Sequence, residues 1–381
     1  MNTASPGVQK LSWLAWAGLI AGVCIASGIY WDISWHESIG RDTFWTPAHL
    51  LVQFGAILAG LGSAWAIFQT TLARDSARRA SAVTVLGFHA PLGAFVLAWG
   101  AVAMLTSAPF DNWWHNAYGL DVKIISPPHM LLALGITAIN WGAVFLIVAE
   151  MSRAEGTRRT VLQYMLLIMG GFIVVQIMTL KLEWTNRVLL HSAISYVVIS
   201  IGLLLLLESM ARASGHRWAR TIVSGSYSLF VLLMLWILPL FPAQPKLGPV
   251  YQNIAHMVPL PFPILIVVPA FLLDLMWPQL KETPKWQQAL VGGVTFMAVL
   301  IVVQWPFTTF LMSNAARVWA FAPPDFPYFA PPTSPTVRHV FIHWEETPAV
   351  FWSLIGLAFL ISVVSMRIGI MYGNWLSRLR R

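Results

Sequence analysis

Ten stretches of this chain stay apolar for about 20 residues, the length a helix needs to cross about 30 Å of hydrocarbon. They lie near 11–31, 46–70, 86–106, 127–150, 161–180, 189–208, 221–241, 256–276, 286–306 and 348–371. With 57% of its 381 residues hydrophobic and only 10% charged, the chain has too few polar groups to cover a water-soluble surface. Its mean hydropathy of +0.69 agrees. The expected fold is therefore all-α, a polytopic membrane helical bundle of about ten transmembrane helices arranged as five hairpins. The first run lacks a basic leader and a small-residue cleavage site, so it reads as a retained helix. The eighth run carries Pro259, Pro261, Pro263 and Pro269, which predict a broken or kinked course.

Basic residues set the expected orientation. Lys10, Arg367, the tail LSRLRR and the connections ARDSARRAS, SRAEGTRRT, ARASGHRWAR and QLKETPKW hold 16 of the 23 lysines and arginines. By the positive-inside tendency this face is cytoplasmic and both termini lie there, in an inner or plasma membrane. Short basic loops beside anionic lipid account for the net charge of +8, so the lipid bilayer is the expected partner and nucleic acid is not. Eight of the ten histidines fall on the opposite, outer or periplasmic face: His36, His49, His115, His129, His191, His256, His339 and His343. The single cysteine, Cys24, excludes an internal disulfide and a thiolate metal cluster.

Two outer-face segments carry the same constellation. In WDISWHESIGRDTFWTPAHLL, Asp32 and His36 are one helical turn apart, and His49 follows a proline at the start of the next helix. In DNWWHNAYGLDVKIISPPHM, Asp111, His115 and His129 repeat that spacing with one extra residue in the loop. Two imidazoles and a carboxylate suit a first-row divalent ion such as copper, zinc or iron, and three protein ligands leave positions open for chemistry. The alternative reading is a pair of i,i+4 hydrogen-bonded helix ends with interfacial histidines. Arg41 and Asp42 lie between the ligands and are candidates for orienting an imidazole or screening Asp32. The many tryptophans nearby read as an interfacial aromatic belt. His339 and His343, four apart in RHVFIHWEE, are candidates for an additional metal site.

The stretch WHESIGRDTFWTPAHLL also resembles the signature of the C subunit of particulate methane monooxygenase and ammonia monooxygenase, over roughly residues 25–150. That resemblance implies copper at Asp32, His36 and His49, and a second copper position at Asp111, His115 and His129, with Asp111 standing where the family has Asn. It implies a copper-dependent membrane monooxygenase, or the metal subunit of such a complex. Dioxygen would be activated to hydroxylate a small apolar substrate, with electrons from a donor such as quinol. Other subunits, or further copies of the chain, are the expected protein partners. The competing reading is a copper-binding, copper-transport or electron-transfer membrane protein without oxygenase activity; axial haem ligation by His49 and His129 is a third. Residues 1–150 are expected to form a four-helix metal-binding region. Residues 151–381 would add six helices and a Pro-rich outer loop near 306–347.

Overall fold

The structure is a computed structural model that describes residues 12–40, 43–73, 79, 82–119, 126–185, 189–246, 254–260, 263–311, 313–316, 318–321 and 346–379. The chain is all-α and polytopic. Its helices are α1 Ser12–Ser38, α2 Pro47–Leu72, α3 Leu92–Tyr118, α4 Pro127–Met151, α5 Gly156–Thr179 and the short α6 Leu182–Thr185. They continue as α7 Ala193–Ser214, α8 Ala219–Ile237, α9 Val267–Leu280, α10 Lys285–Leu311 and α11 Pro348–Leu376. Among the described residues nine helices are long and apolar enough to span a bilayer; α6 and α9 are not. The chain divides into two compact units: Met1–Ile29, Phe44–Ile173 and Trp375–Arg381 in the first, Tyr30–Thr43 and Val174–Asn374 in the second.

Small residues set the packing of the first unit. On α3, a Cβ at Gly100 would lie 2.7 Å from the Gly135 carbonyl oxygen and 2.7 Å from the Ile139 nitrogen of α4. In return, a Cβ at Gly135 would meet Met104 Cγ at 2.6 Å and the Gly100 carbonyl oxygen at 2.9 Å. Gly142 abuts the Leu97 backbone in the same way. With no side chain between them the two backbones approach closely, which is how apolar helices associate where lipid removes any hydrophobic drive. The same device joins α1 to α2, where Gly28 meets Val52 and Gly55 meets Ile25. Gly100→Val is expected to wedge α3 from α4 and to destabilise the unit by about 1–3 kcal/mol. A lowered thermal midpoint of the detergent-solubilised protein would register the change.

Two spans differ from expectation, each for a local reason. The third was expected from residue 86, but Val83–Val85 and Phe88–Ala90 form an antiparallel two-stranded hairpin, β1–β2, and the helix starts at Leu92. The turn places Leu86 at φ 52° and Gly87 at φ 84°, the left-handed pair that a tight two-residue hairpin uses. The Thr71 hydroxyl accepts from the His89 N–H at 2.9 Å and so ties this hairpin to α2.

The eighth span, expected over 256–276, is not a spanning helix. Residues 254–260 are not helical, and among the described residues of this span only Val267–Leu280 forms a helix, a 14-residue segment of roughly 21 Å. Prolines remove amide donors here, and one face of α1 supplies replacements at one residue per turn. Tyr30 donates its hydroxyl to the Leu260 carbonyl and Ser34 to the Val258 carbonyl, both at 2.7 Å. The Ser38 hydroxyl accepts from the Val258 N–H, also at 2.7 Å. On α8, Tyr227 and Ser228 donate to the Pro263 and Ile264 carbonyls at 2.9 and 2.7 Å. Irregular backbone among apolar helices survives only when neighbouring protein satisfies it in this way.

Candidate functional site

The connected end of the α3–α4 hairpin is built from three local signals. Pro109 interrupts the hydrogen-bond ladder of α3 just before Asp111. Asp111 and His115 then share one face of the last turns, one turn apart. Gly119 closes the helix at φ 91°, and its N–H donates to the His115 carbonyl at 3.0 Å. Across the connection, Ser126 precedes α4, Pro127 and Pro128 fill its first two positions, and His129 takes the third.

These elements bring the second sequence constellation together. Asp111 Oδ2 lies 3.3 Å from His115 Nε2, and Asp111 Oδ1 lies 3.5 Å from His129 Nε2. One carboxylate therefore sits between two imidazoles. All three side chains are partly sheltered, at 29%, 21% and 27% exposure for Asp111, His115 and His129. The far nitrogen of His115, Nδ1, is 3.3 Å from the Gly119 carbonyl. When that nitrogen donates to Gly119, a neutral His115 turns an unprotonated Nε2 toward Asp111, the form that ligates metals.

A fit to a metal ion can be tested on this geometry. Donors about 2.0–2.2 Å from a tetrahedral ion stand about 3.3 Å from one another, and both observed spacings lie near that value. The Ser126 hydroxyl at the start of α4 is buried without a partner, and Asp111 Oδ1, although 3.5 Å from His129, makes no hydrogen bond. Orphaned polar atoms of this kind mark places where a further group is expected. Yet the two imidazoles meet opposite oxygens, so the three side chains do not close on one point. Among the described residues no group of three or more His, Cys, Asp or Glu side chains stands ready to hold an ion. The donor set fits a first-row divalent metal in kind and in pairwise spacing, and a turn of the Asp111 carboxylate is needed to close it.

The first constellation is placed differently. Asp32 and His36 end α1 in the second unit, with Asp32 Oδ2 4.0 Å from His36 Nε2. His49 occupies the third position of α2, as His129 does in α4, but belongs to the first unit. Gly40 follows α1 at φ 93°, matching Gly119 after α3, so both hairpins share their helix-ending chemistry. Arg41, Asp42, His339 and His343, and most of the expected Pro-rich loop, lie outside the described residues.

Two further histidines have structural partners. His191 stacks on Trp305 with centroids 4.8 Å apart, and its Nε2 is 3.1 Å from Thr309 Oγ1. His256 lies in a bridge to Pro242, its Nδ1 3.2 Å from the Met257 carbonyl. The aromatic cluster of Phe110, Trp113, Trp114 and Tyr118 surrounds the end of α3 with centroids 4.5–6.4 Å apart. Trp113 and Tyr118 are exposed, which is the disposition of an interfacial belt.

Sequence reading missed the strongest polar cluster of the second unit. Arg220, near the start of α8, donates to Glu208 Oε2 of α7 through Nη2 at 2.5 Å and Nε at 3.0 Å, and to Asp274 Oδ1 of α9 through Nη1 at 2.9 Å. Arg212 donates to Glu208 Oε1 at 2.6 Å and to Gln288 Oε1 of α10 at 2.5 Å. Asp274 Oδ2 accepts from both the N–H and the hydroxyl of Thr221 at 2.8 Å. The Trp277 ring lies 3.9 Å from the Arg220 guanidinium. Asp274 inside the run FLLDLMW and the Glu208–Arg212 pair in ESMAR are ionisable groups in apolar stretches, and that was the available signal.

Comparison of the chain with protein-family models, with curated proteins and with solved structures found no match.

Proposed function

We propose that this chain binds copper through Asp111, His115 and His129 at the outer face of a cell membrane, and that it uses the metal to activate dioxygen for oxidation of a small apolar substrate. The observation that carries the metal reading is the carboxylate held between two imidazoles at 3.3 and 3.5 Å by a glycine-packed hairpin. Copper rests on the imidazole-rich donor set and on the resemblance of the neighbouring Asp32–His49 segment to the copper monooxygenase C subunit. The outer-face assignment rests on connectivity: the site lies at the opposite end of α4 from Arg153, Arg158 and Arg159. Copper bound there supplies one-electron redox chemistry toward dioxygen, with a quinol or a partner subunit as the electron source. The chain's own contribution is to hold a charge-balancing carboxylate and two oriented imidazoles beside an apolar, aromatic boundary.

A second reading is favoured by the failure of the three side chains to converge. In it Asp111 and the two imidazoles form a metal-free hydrogen-bonded cluster that closes the hairpin. Elemental analysis separates the two. Protein purified from copper-replete cells is expected to carry about one copper per Asp111 centre, and His129→Ala is expected to lose it. Copper at background in the parent protein, or unchanged in His129→Ala, would rule the site out.

A further inference from the structure

Helix α7 is broken within its own span. Ile201 has φ −70° and ψ 114°, and Gly202 has φ 79° and ψ −21°. Those angles are those of a type II turn, so the helix unwinds for two residues and resumes. Nothing lies within 4 Å of a Cβ built on Gly202, so glycine is required there by its positive φ and not by crowding. Each half is anchored separately. Glu346 holds the first half, its Oε1 accepting from the Ser192 hydroxyl at 2.7 Å and its Oε2 from the Ala193 N–H at 2.8 Å. The Glu208–Arg220 cluster holds the second.

An unwound turn frees carbonyl groups, and two of them are taken by side chains from elsewhere in this unit. The Ser365 hydroxyl of α11 donates to the Ser200 carbonyl at 3.0 Å. The Ile201 carbonyl accepts a short hydrogen bond from the Lys181 ammonium, which reaches it from just beyond α5. Burial alone lowers Lys181, from the usual lysine range to about 8. The hydrogen bond rests its head on main-chain carbonyl at the C-terminal, electronegative end of a half-helix, against that desolvation. Broken helices use this combination of unwound carbonyls and a half-helix terminus to coordinate small cations.

We propose that the break in α7 is a binding site for a small monovalent cation of the alkali-metal or alkylammonium class, filled in this structure by the tethered ammonium of Lys181. The Ile201 carbonyl is its acceptor, Ser365 holds the neighbouring Ser200 carbonyl, and Gly202 makes the turn that presents Ile201. The proposal is independent of the Asp111 centre, whose residues lie in the other unit.

The test uses the full chain in detergent at pH 7, reading the thermal midpoint in matched concentrations of potassium, sodium, methylammonium and choline chloride. Lys181→Ala is expected to melt lower than the parent, and potassium or methylammonium to raise its midpoint by a few degrees, while choline, too large for the turn, does not. The parent is expected to respond equally to all four salts. A Lys181→Ala protein indifferent to the cation, or restored equally by choline, would overturn the proposal. Lys181→Gln keeps a neutral donor and guards against a variant that does not fold. It is expected to show the same cation response, and a parent-like midpoint with no response would show that hydrogen bonding alone is needed.

Discussion

Arg220→Met is expected to cost about 3–5 kcal/mol of stability, the usual result of removing one partner from a buried ion pair. Arg220, Glu208 and Asp274 are 2%, 1% and 0% exposed, so Asp274 would lose its described cation and Glu208 would be left with Arg212 alone, with no water to turn to. For a chain of this size that loss lowers the thermal midpoint by about 5 °C, measurable by intrinsic fluorescence. Arg220→Lys should recover little. The guanidinium engages Glu208 through Nε and Nη2 while reaching Asp274 through Nη1, and a single ammonium cannot span both. The triple variant Glu208→Gln, Arg220→Met, Asp274→Asn removes these three buried charges together and leaves Arg212, which is 16% exposed, on Gln288. It should be more stable than Arg220→Met alone, because the large penalty belongs to the unpaired charge and not to the absence of the pair. A triple variant as unstable as the single one would refute that account.

The second large effect is expected at Asp111. Its two oxygens link His115 to His129, so Asp111→Ala should part the two imidazoles. Copper affinity should fall by more than the ~10–100-fold that loss of an outer-shell partner produces. Copper content by elemental analysis, and the copper concentration needed to raise the thermal midpoint of stripped protein, both report it. Asp32→Ala is the informative companion. If the first constellation forms a centre of its own, that variant lowers copper content without disturbing the Asp111 site. Gly100→Val should weaken copper binding from a distance, because it parts the helices that bring Asp111 to His129. Retention of full copper content in both Asp111→Ala and His129→Ala would end the metal reading.

The duplicated Asp-x3-His pattern was legible in the sequence because its parts are local. An i,i+4 pair shares a helix face wherever the helix forms, and a proline two residues ahead of His49 and His129 marks a helix start. How near each carboxylate would come to its histidine was not legible. The copy with the more specific resemblance leaves Asp32 and His36 4.0 Å apart, and the looser one holds Asp111 in contact with both histidines. Their approach depends on Gly100 and Gly135 meeting across α3 and α4, and no spacing within one helix encodes that meeting. The proline-rich eighth span announced its break, but the hydroxyls of Tyr30, Ser34 and Ser38 that make the break tolerable lie more than 200 positions away.

By itself the sequence determined that this chain folds as apolar helices for a bilayer, roughly where most of those helices lie, and which polar side chains share a helix end. These follow from apolar run length, from prolines and glycines at helix ends, and from charge bias, all properties of neighbouring residues. Tertiary structure alone decided that Arg220 bridges Glu208 and Asp274, that α7 is broken and plugged by Lys181, and that Asp111 meets His129. Each joins groups from different helices through a hydrogen bond or ion pair whose worth depends on burial. Burial comes into being only when the helices pack.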